Sequence, residues 1–237
     1  MNMKRIGIIM VCIIAVVAGA FFIYFGDYYH GTDVADEALK STQNVNVTKI
    51  DEGYFFDGPG KDEAIIFYPG AKVEAKAYAN LMNEIASDGV DCFLVDMPFN
   101  FAFFGSDKAT PIIERYNYTQ WAMSGHSLGG IVASSYANDH KDKIDDIVLL
   151  ASYPSEKIDG KISMLSIYGD KDGVLNLESY KEAKKYWPEN SIEKIISGGN
   201  HGNFGDYGLQ KGDNKSIISS LDQQNKTAIL IVEFLNS

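Results

Sequence analysis

Cysteine, histidine and basic residues are scarce in this chain, and each shortage excludes a class of protein. The 237 residues include four histidines and only two cysteines, Cys12 and Cys92, which suit neither a disulfide framework nor a zinc site. The 32 acidic residues outnumber the 21 basic ones and give a net charge of −11. Such a chain is repelled by the phosphates of nucleic acid and by anionic headgroups. We therefore expect no nucleic-acid partner and no bound metal.

Charge is absent from residues 6–25, a run about as long as the ~20 residues with which a helix crosses a bilayer. Lys4 and Arg5 precede the run and Asp27 follows it, which predicts a cytoplasmic N-terminus and a chain that continues outside the cytoplasm. The alternative is a cleaved signal peptide and a secreted protein, since residues 18–20 read Ala-Gly-Ala. The apolar run continues past that site, which favours a single-pass anchor in the cell membrane.

The rest of the chain divides into a short polar stretch and one domain. Residues 1–26 form the predicted anchor, residues 27–44 a linker, and residues 45–237 the domain. Apolar runs of strand length alternate with helical segments in the domain, and the last helix is expected from about residue 215 to 235. This alternation predicts an α/β fold with a doubly wound, mostly parallel sheet and helices on both faces. Ligands bind such sheets at the carboxyl ends of the strands.

The clearest chemical motif is Gly125-His-Ser127-Leu-Gly129, which follows a predicted strand and begins a predicted helix. In a Gly-x-Ser-x-Gly elbow the serine is held up as a nucleophile, and the backbone N–H of the next residue, Leu128, points to where an oxyanion forms. The pattern is short enough to arise by chance. A catalytic serine also needs a base, and the base needs an acid that orients it.

Elimination among the four histidines indicates the base. Three are excluded by position: His30 beside the apolar run, His126 inside the motif, and His140 at the end of the helix that follows it. His201 remains, in the loop GGNHGNFGDYG after the last predicted strand. A triad would therefore use His201.

The acid is expected between the serine and the histidine in the chain. The loop in IYGDKDGV supplies Asp170 and Asp172. We favour Asp172, because Asp170 directly follows the strand and is better placed to form the turn. Asp206 is a weaker candidate, since it shares the loop of His201.

A second oxyanion donor is expected from the loop after an earlier strand, YPGAKVE. Gly70 leaves room there for the backbone N–H of Ala71 to face the serine. Tyr68 at the end of the same strand could line the site or donate its hydroxyl there.

An apolar wall for the substrate is expected in the irregular segment from residue 97 to 117. Its start is rich in phenylalanine and directly follows a strand. The candidate pocket residues are Phe99, Phe101 and Phe103. The alternative is a loop that packs back onto the core.

The motifs GHSLGG, YGDKDGV and GGNHGNFGDYG, in that order, resemble the α/β-hydrolase superfamily from about residue 61 to the C-terminus. With FYPGAKVEAKAY and VDCFLVDMPFNFAFFG, they are similar to membrane-anchored or exported bacterial hydrolases of the α/β-hydrolase type 5 group. This resemblance implies a triad of Ser127, Asp172 and His201, an esterase-type reaction and no cofactor. The chain lacks a His-Gly-Gly-Gly loop and a long helical lid, which argues against long-chain triglyceride hydrolysis.

The sequence thus predicts a serine hydrolase that cleaves a carboxylic ester of a small or medium apolar substrate. The same triad serves amide or thioester hydrolysis and acyl transfer, and the fold also suits a non-catalytic binding protein. The expected partners are a small ester-like molecule and, through the N-terminal helix, the membrane.

Overall fold

This computed structural model describes the backbone of residues 3–237 and the side chains of residues 9–21 and 24–237. An eight-stranded sheet forms the centre of this part of the chain. The strands are β1 (Asn46–Ile50), β2 (Gly53–Asp57), β3 (Glu63–Tyr68), β4 (Asp91–Val95), β5 (Gln120–His126), β6 (Asp146–Leu150), β7 (Ser163–Gly169) and β8 (Ser191–Ile196). Their order across the sheet is β1-β2-β4-β3-β5-β6-β7-β8. The β1–β2 and β2–β4 pairs are antiparallel and the others parallel, so the predicted mostly parallel sheet is confirmed.

Helices cover both faces of this sheet, as predicted. The helices of the described residues are α1 (Met3–Gly26), which only touches the domain with its last turn, α2 (Asp33–Ala38), α3 (Ala79–Ser87), α4 (Thr110–Arg115), α5 (Leu128–Asp139), α6 (Leu177–Ala183) and α7 (Ser220–Leu235). One apolar core lies between the sheet and the pair α3 and α7, and a second lies under α4 and α5. Strands β4 and β6 are buried along their whole length, because each is covered on both sides.

Helix α7 begins later than the expected start near residue 215. Ser219 caps it by accepting a hydrogen bond from the Asp222 N–H, and the Asp222 carboxylate accepts one from the Ser219 N–H. This reciprocal capping box satisfies two amides that would otherwise have no partner, and so it fixes where the helix starts.

The polar stretch predicted to be a linker packs against the domain. It contains α2, and Tyr29 forms a bridge to Val73 in the loop after β3. The Tyr29 N–H donates to the Lys72 carbonyl at 2.7 Å, and the Glu74 N–H donates to the Tyr29 carbonyl at 2.9 Å. The chain is therefore joined to the sheet's carboxyl edge three residues after α1 ends.

Helix α1 contains one segment, Ile9–Gly26, that is long and apolar enough to cross a membrane, with a mean hydropathy of 2.6. None of the described side chains in this segment is buried. The N-terminal apolar helix predicted from the sequence is therefore present, and its last turn lies against the domain.

Candidate active site

Ser127 stands at a sharp turn between β5 and α5, with φ 51° and ψ −123°. This is an unfavourable backbone conformation for a residue with a side chain, and such strain is concentrated at functional sites. A Cβ atom on Gly125 would come within 2.5 Å of the Gly129 carbonyl carbon. One on Gly129 would come within 2.2 Å of the Tyr68 carbonyl oxygen. The two glycines of the motif are therefore required by the close approach of strand, turn and helix.

Main-chain hydrogen bonds hold the serine at this turn. The Ser127 N–H donates to the Leu150 carbonyl at 2.9 Å, at the carboxyl end of the neighbouring β6. The Ser127 carbonyl accepts a hydrogen bond from the Ser152 hydroxyl at 2.6 Å. The strained turn is thus supported from both sides, and the Ser127 side chain faces a cavity.

His201 and Asp172 form a buried pair on two other loops of the same edge. The Nδ1 atom of His201 lies 2.8 Å from Oδ2 of Asp172, and both side chains are 1% exposed. The other carboxylate oxygen accepts hydrogen bonds from the N–H groups of Val174 and Leu175 at 2.8 and 2.7 Å. Because a carboxylate only accepts, Nδ1 carries the hydrogen and Nε2 is left with its lone pair. That Nε2 atom is buried and has no hydrogen-bond partner.

Asp170, the alternative acid, has a different role. Its carboxylate accepts a hydrogen bond from the Gly198 N–H at 2.7 Å and lies 3.6 Å from Lys171 Nζ. It therefore joins the ends of β7 and β8 as a turn residue. Asp206, the weaker candidate, accepts from the Ser220 hydroxyl. The structure places Asp172 against His201.

Ser127 and His201 line one cavity of about 200 Å³ at the carboxyl edge. The other lining residues are mainly apolar: Leu128, Ile131, Ala151, Ser152, Tyr153, Val174, Leu175 and Asn176. No hydrogen bond joins the Ser127 hydroxyl to His201 Nε2 in this structure.

The two expected oxyanion donors both carry unused amides. Neither the Leu128 N–H nor the Ala71 N–H donates a hydrogen bond to another group in the described chain, whereas the flanking Gly70 and Lys72 amides do. The contact between Gly129 and the Tyr68 carbonyl brings the start of α5 against the loop that carries Ala71. An acyl oxygen bound between them would meet two free donors and the N-terminus of a helix.

Tyr78 and His126 support this loop from below, and the sequence did not indicate the pair. The Tyr78 hydroxyl accepts from the Gly70 N–H at 3.2 Å and lies 2.8 Å from His126 Nδ1. Burial, together with the neighbouring His201, lowers the pKa of His126 well below its usual value, so the ring is neutral. Its Nδ1 atom and the Tyr78 hydroxyl share one hydrogen bond. The His126 and His201 rings lie 4.4 Å apart, which places the pair beneath the candidate base.

The four predicted pocket residues do not line this cavity. Tyr68 is completely buried, and its hydroxyl donates to the Ser106 carbonyl and accepts from the Ala109 N–H. It braces the phenylalanine-rich loop rather than facing the site.

The three phenylalanines are also displaced from the predicted wall. Phe99 and Phe101 pack against Phe25 at the end of α1, with ring centroids 5.4 and 5.3 Å apart. Phe103 lines a separate cavity of about 250 Å³ with Tyr136 of α5. The contacts of Phe99 and Phe101 are with α1, which lies outside the domain that the strand pattern describes.

This sheet order, with its serine elbow at the carboxyl edge and an acid and a histidine on later loops, defines an α/β-hydrolase fold. The model of an alpha/beta hydrolase family matches residues 64–225. The chain therefore belongs to that family, as its motifs predicted.

Solved structures with the same fold are distant in sequence. A predicted CIB-like hydrolase from Thermoplasma acidophilum has a TM-score of 0.57 and 17% identity, over 81% of this chain and 97% of that one. An esterase from Mycobacterium tuberculosis has a TM-score of 0.59 and 13% identity, over 86% and 95%. Carboxyl esterase 2 from Tuber melanosporum has a TM-score of 0.59 and 14% identity, over 87% and 89%. No curated protein was found to match the chain.

Proposed function

We propose that this protein is a serine hydrolase that cleaves a carboxylic ester of a small or medium apolar substrate. The observation that carries the proposal is the arrangement around one cavity. Ser127 lies on a strained elbow beside His201, whose Nε2 has no partner and whose Nδ1 is bonded to Asp172. A serine needs this combination of base and orienting acid to become a nucleophile at neutral pH.

In the proposed acylation step, His201 Nε2 takes the hydroxyl proton of Ser127 as Oγ attacks the ester carbonyl carbon. The carbonyl oxygen becomes an oxyanion and accepts hydrogen bonds from the Leu128 and Ala71 amides. Asp172 keeps the hydrogen on Nδ1 and stabilises the imidazolium. The intermediate then expels the alkoxide, which takes the proton from Nε2 and leaves as an alcohol. The acyl group remains on Ser127.

In the second step the same groups act on water. His201 Nε2 accepts a proton from a water molecule as its oxygen attacks the acyl carbon. The second tetrahedral intermediate collapses, and the proton on Nε2 returns to the Ser127 oxygen. A carboxylic acid is released and the resting enzyme is restored, so the cycle needs no cofactor.

The size and lining of the cavity support a small or medium apolar acyl group. A volume of about 200 Å³ is below the range of about 300–1,000 Å³ that is usual for drug-sized ligands. Apolar side chains such as Ile131, Val174 and Leu175 form much of its wall. Two of the structural neighbours described above are named as esterases, which agrees with this chemistry.

The test is hydrolysis of p-nitrophenyl acetate, butyrate and octanoate by the full chain in detergent. We expect Ser127→Ala to lower kcat by a factor on the order of 10⁴ or more. Ser134→Ala is the matched control, because that hydroxyl is also on α5 but only bonds the Ile131 carbonyl. Full activity of Ser127→Ala would refute the proposal. Absence of turnover by folded wild-type protein would favour a non-catalytic binding role. Faster cleavage of matched amides or thioesters than of the esters would favour amide or thioester hydrolysis.

We further propose that α1 is an uncleaved anchor in the cell membrane, with its N-terminus in the cytoplasm and the hydrolase domain outside. The apolar run supports this, together with Lys4 and Arg5 before it and Asp27 after it. Carbonate-washed membranes of expressing cells should retain a chain of full mass whose domain is digested by protease added to spheroplasts. A soluble product cut near residue 20 would identify a signal peptide instead.

A further inference from the structure

The last turn of α1 packs on a phenylalanine-rich loop at the carboxyl edge of the sheet. Phe25 lies 5.4, 5.3 and 5.8 Å, between ring centroids, from Phe99, Phe101 and Phe104. Phe21, one helical turn earlier, lies 5.2 Å from Phe99. The apolar helix therefore ends against a loop that directly follows β4.

The same edge carries the candidate active site. Tyr29, three residues after α1, is hydrogen-bonded to Lys72 and Glu74 in the loop of Ala71. The Lys72 N–H in turn donates to the carbonyl of Asn100 at 2.8 Å, within the phenylalanine-rich loop. The Tyr29 hydroxyl accepts from the Lys211 N–H in the loop that follows His201. With so few residues between α1 and these contacts, the cavity of Ser127 lies on the side of the domain from which the helix leaves.

Apolar side chains on this side remain exposed. We call the four phenylalanines of the loop the aromatic collar: Phe99, Phe101, Phe103 and Phe104. Phe99 is 49% exposed, Phe103 62% and Phe104 53%. Leu209, in the loop after His201, is 80% exposed. Residues 97–105 contain no charged residue. Clustered exposed apolar side chains of this kind mark an interaction surface.

Two residues of the loop that carries the collar have a left-handed backbone conformation. Phe99 and Asn100 have φ of 56° and 57°, a left-handed conformation that costs free energy for residues with side chains. A surface that contacts the collar would explain why three of its rings are exposed.

We propose that the aromatic collar lies in the interfacial layer of the bilayer that α1 crosses, and that the cavity takes its substrate from that layer. The occupant of the collar is thus a lipid surface, since the apolar helix ends at the collar and aromatic rings favour the membrane–water boundary. The substrate class is an acyl ester of an amphiphile held in the membrane. This substrate class rests on the proposed esterase function, whereas the membrane contact of the collar rests only on α1 as an anchor.

Depth-dependent quenching tests the contact without reference to catalysis. The full chain carrying Cys12→Ser and Phe103→Cys is labelled with an NBD fluorophore and reconstituted into phosphatidylcholine vesicles that contain nitroxide-labelled lipid. The control is Lys161→Cys in the same background, because Lys161 is exposed and precedes β7, at the opposite edge of the sheet. We expect strong quenching and a blue-shifted emission at position 103, and neither at position 161.

Equal quenching at the two positions, or none at position 103, would overturn the contact. Shielding of the label that depends on protein concentration and is insensitive to nitroxide lipid would show that a second copy covers the collar, and would also refute it.

A pair of substrates tests the ester class. Full-length Phe104→Ser in vesicles should hydrolyse a vesicle-held acyl ester more slowly than wild type, on the order of 5-fold, since part of one phenylalanine side chain is no longer buried in lipid. Hydrolysis of water-soluble p-nitrophenyl acetate should stay within about 2-fold of wild type, because Phe104 does not line the cavity of Ser127. Ile229→Ser is the matched control, an exposed apolar residue on α7. Equal losses with both esters would refute the membrane-held substrate.

Failure of the proposed function gives a different result. If wild type hydrolyses neither ester, the esterase and the substrate class are both refuted, while quenching at position 103 still decides the membrane contact.

Discussion

At the scale of single residues, the proposed catalysis depends on which nitrogen of His201 carries its hydrogen. The Asp172 carboxylate fixes this hydrogen on Nδ1, and two backbone amides hold the carboxylate in place. The free Nε2 is then the only atom of the ring that can take a proton from Ser127. A change that alters the tautomer should therefore abolish catalysis without unfolding the protein.

Asp172→Asn makes that change. The new amide nitrogen would face Nδ1, so the ring hydrogen moves to Nε2 and the base is lost. We expect kcat to fall by roughly 10³–10⁴ with little change in unfolding temperature. Asp170→Asn is the control, since an asparagine oxygen can still accept from Gly198, and its kcat should stay close to wild type. Equal losses in the two variants, measured with p-nitrophenyl butyrate, would show that Asp172 has no special role.

Tyr78→Phe tests whether the residue beneath the oxyanion loop positions it. The variant leaves the Gly70 amide and His126 Nδ1 without their shared hydroxyl, so the loop that carries Ala71 should lose its fixed position. We expect kcat to fall on the order of 10-fold while KM changes little. Tyr180→Phe also loses a buried hydroxyl, one that contacts Ser166 and Glu193 away from the cavity, and should be destabilised without this drop in kcat. A rise in KM alone for Tyr78→Phe would mean that it affects only binding.

The residues of the site differ in how readily the sequence reveals them. Ser127 and its glycines form one continuous motif, and only one of the four histidines lies in a suitable loop, so composition and chain order suffice to predict both as candidates. Tyr78 carries no such signal. It is part of an ordinary apolar pattern. Tyr78 and His126 are 48 positions apart in the sequence, and only the folded sheet brings them into contact.

At the scale of elements, the elbow depends on how closely α5 approaches the end of β3. A side chain at Gly129 would collide with the Tyr68 and Pro69 carbonyls at 2.2 and 2.3 Å, and backbone atoms cannot move aside as a flexible side chain does. We predict that Gly129→Ala lowers the free energy of unfolding by about 1–3 kcal/mol and disrupts catalysis.

Gly160→Ala is the comparison for that variant. A Cβ there meets nothing within 4 Å, so stability and activity should be nearly unchanged. Denaturant unfolding of both variants, followed by the fluorescence of Trp121 and Trp187, checks the difference. A stable and active Gly129→Ala would mean that the elbow is looser than the structure indicates.

Elements with a strong local pattern were predicted well, and those that depend on distant contacts were not. The buried strands and the helix after Ser127 follow from apolar runs and their periodicity. The phenylalanine-rich loop has the same apolar composition as a pocket wall. In the structure the loop packs against α1 and is braced by Tyr68 of β3, and both elements are distant from it in the chain. No periodicity within the loop records those contacts.

At the scale of the whole molecule, one buried carboxyl links stability to pH. Asp146 is 6% exposed, and its carboxylate accepts a hydrogen bond from the Gln120 side chain. Burial, together with the charges of Asp145 and Glu63, raises its pKa from 3.8 to about 6. The folded protein therefore binds this proton more tightly than the unfolded chain does. The charged form opposes folding, so the cost is absent below about pH 4 and fully present above about pH 6.

Asp146→Asn removes that cost. Its gain in unfolding free energy over wild type should be close to zero near pH 4, rise between the two pKa values, and level off above about pH 6 at ~1–2 kcal/mol after allowance for solvent screening. Asp142→Asn controls for the loss of one negative charge at an exposed position. Denaturant titrations at a series of pH values measure both variants. A gain for Asp146→Asn that is equal at all pH values, or larger in acid, would contradict the assignment.

Whether Ser127 is a nucleophile activated by His201 is measured by reaction of the full chain with a fluorophosphonate, followed by intact mass analysis and peptide mapping. We expect one adduct per folded chain, on the peptide that contains Ser127. We expect no adduct in Ser127→Ala, and labelling slower by a factor on the order of 10²–10⁴ in His201→Ala. An unlabelled wild type that is demonstrably folded, or an adduct on another residue, would contradict this expectation.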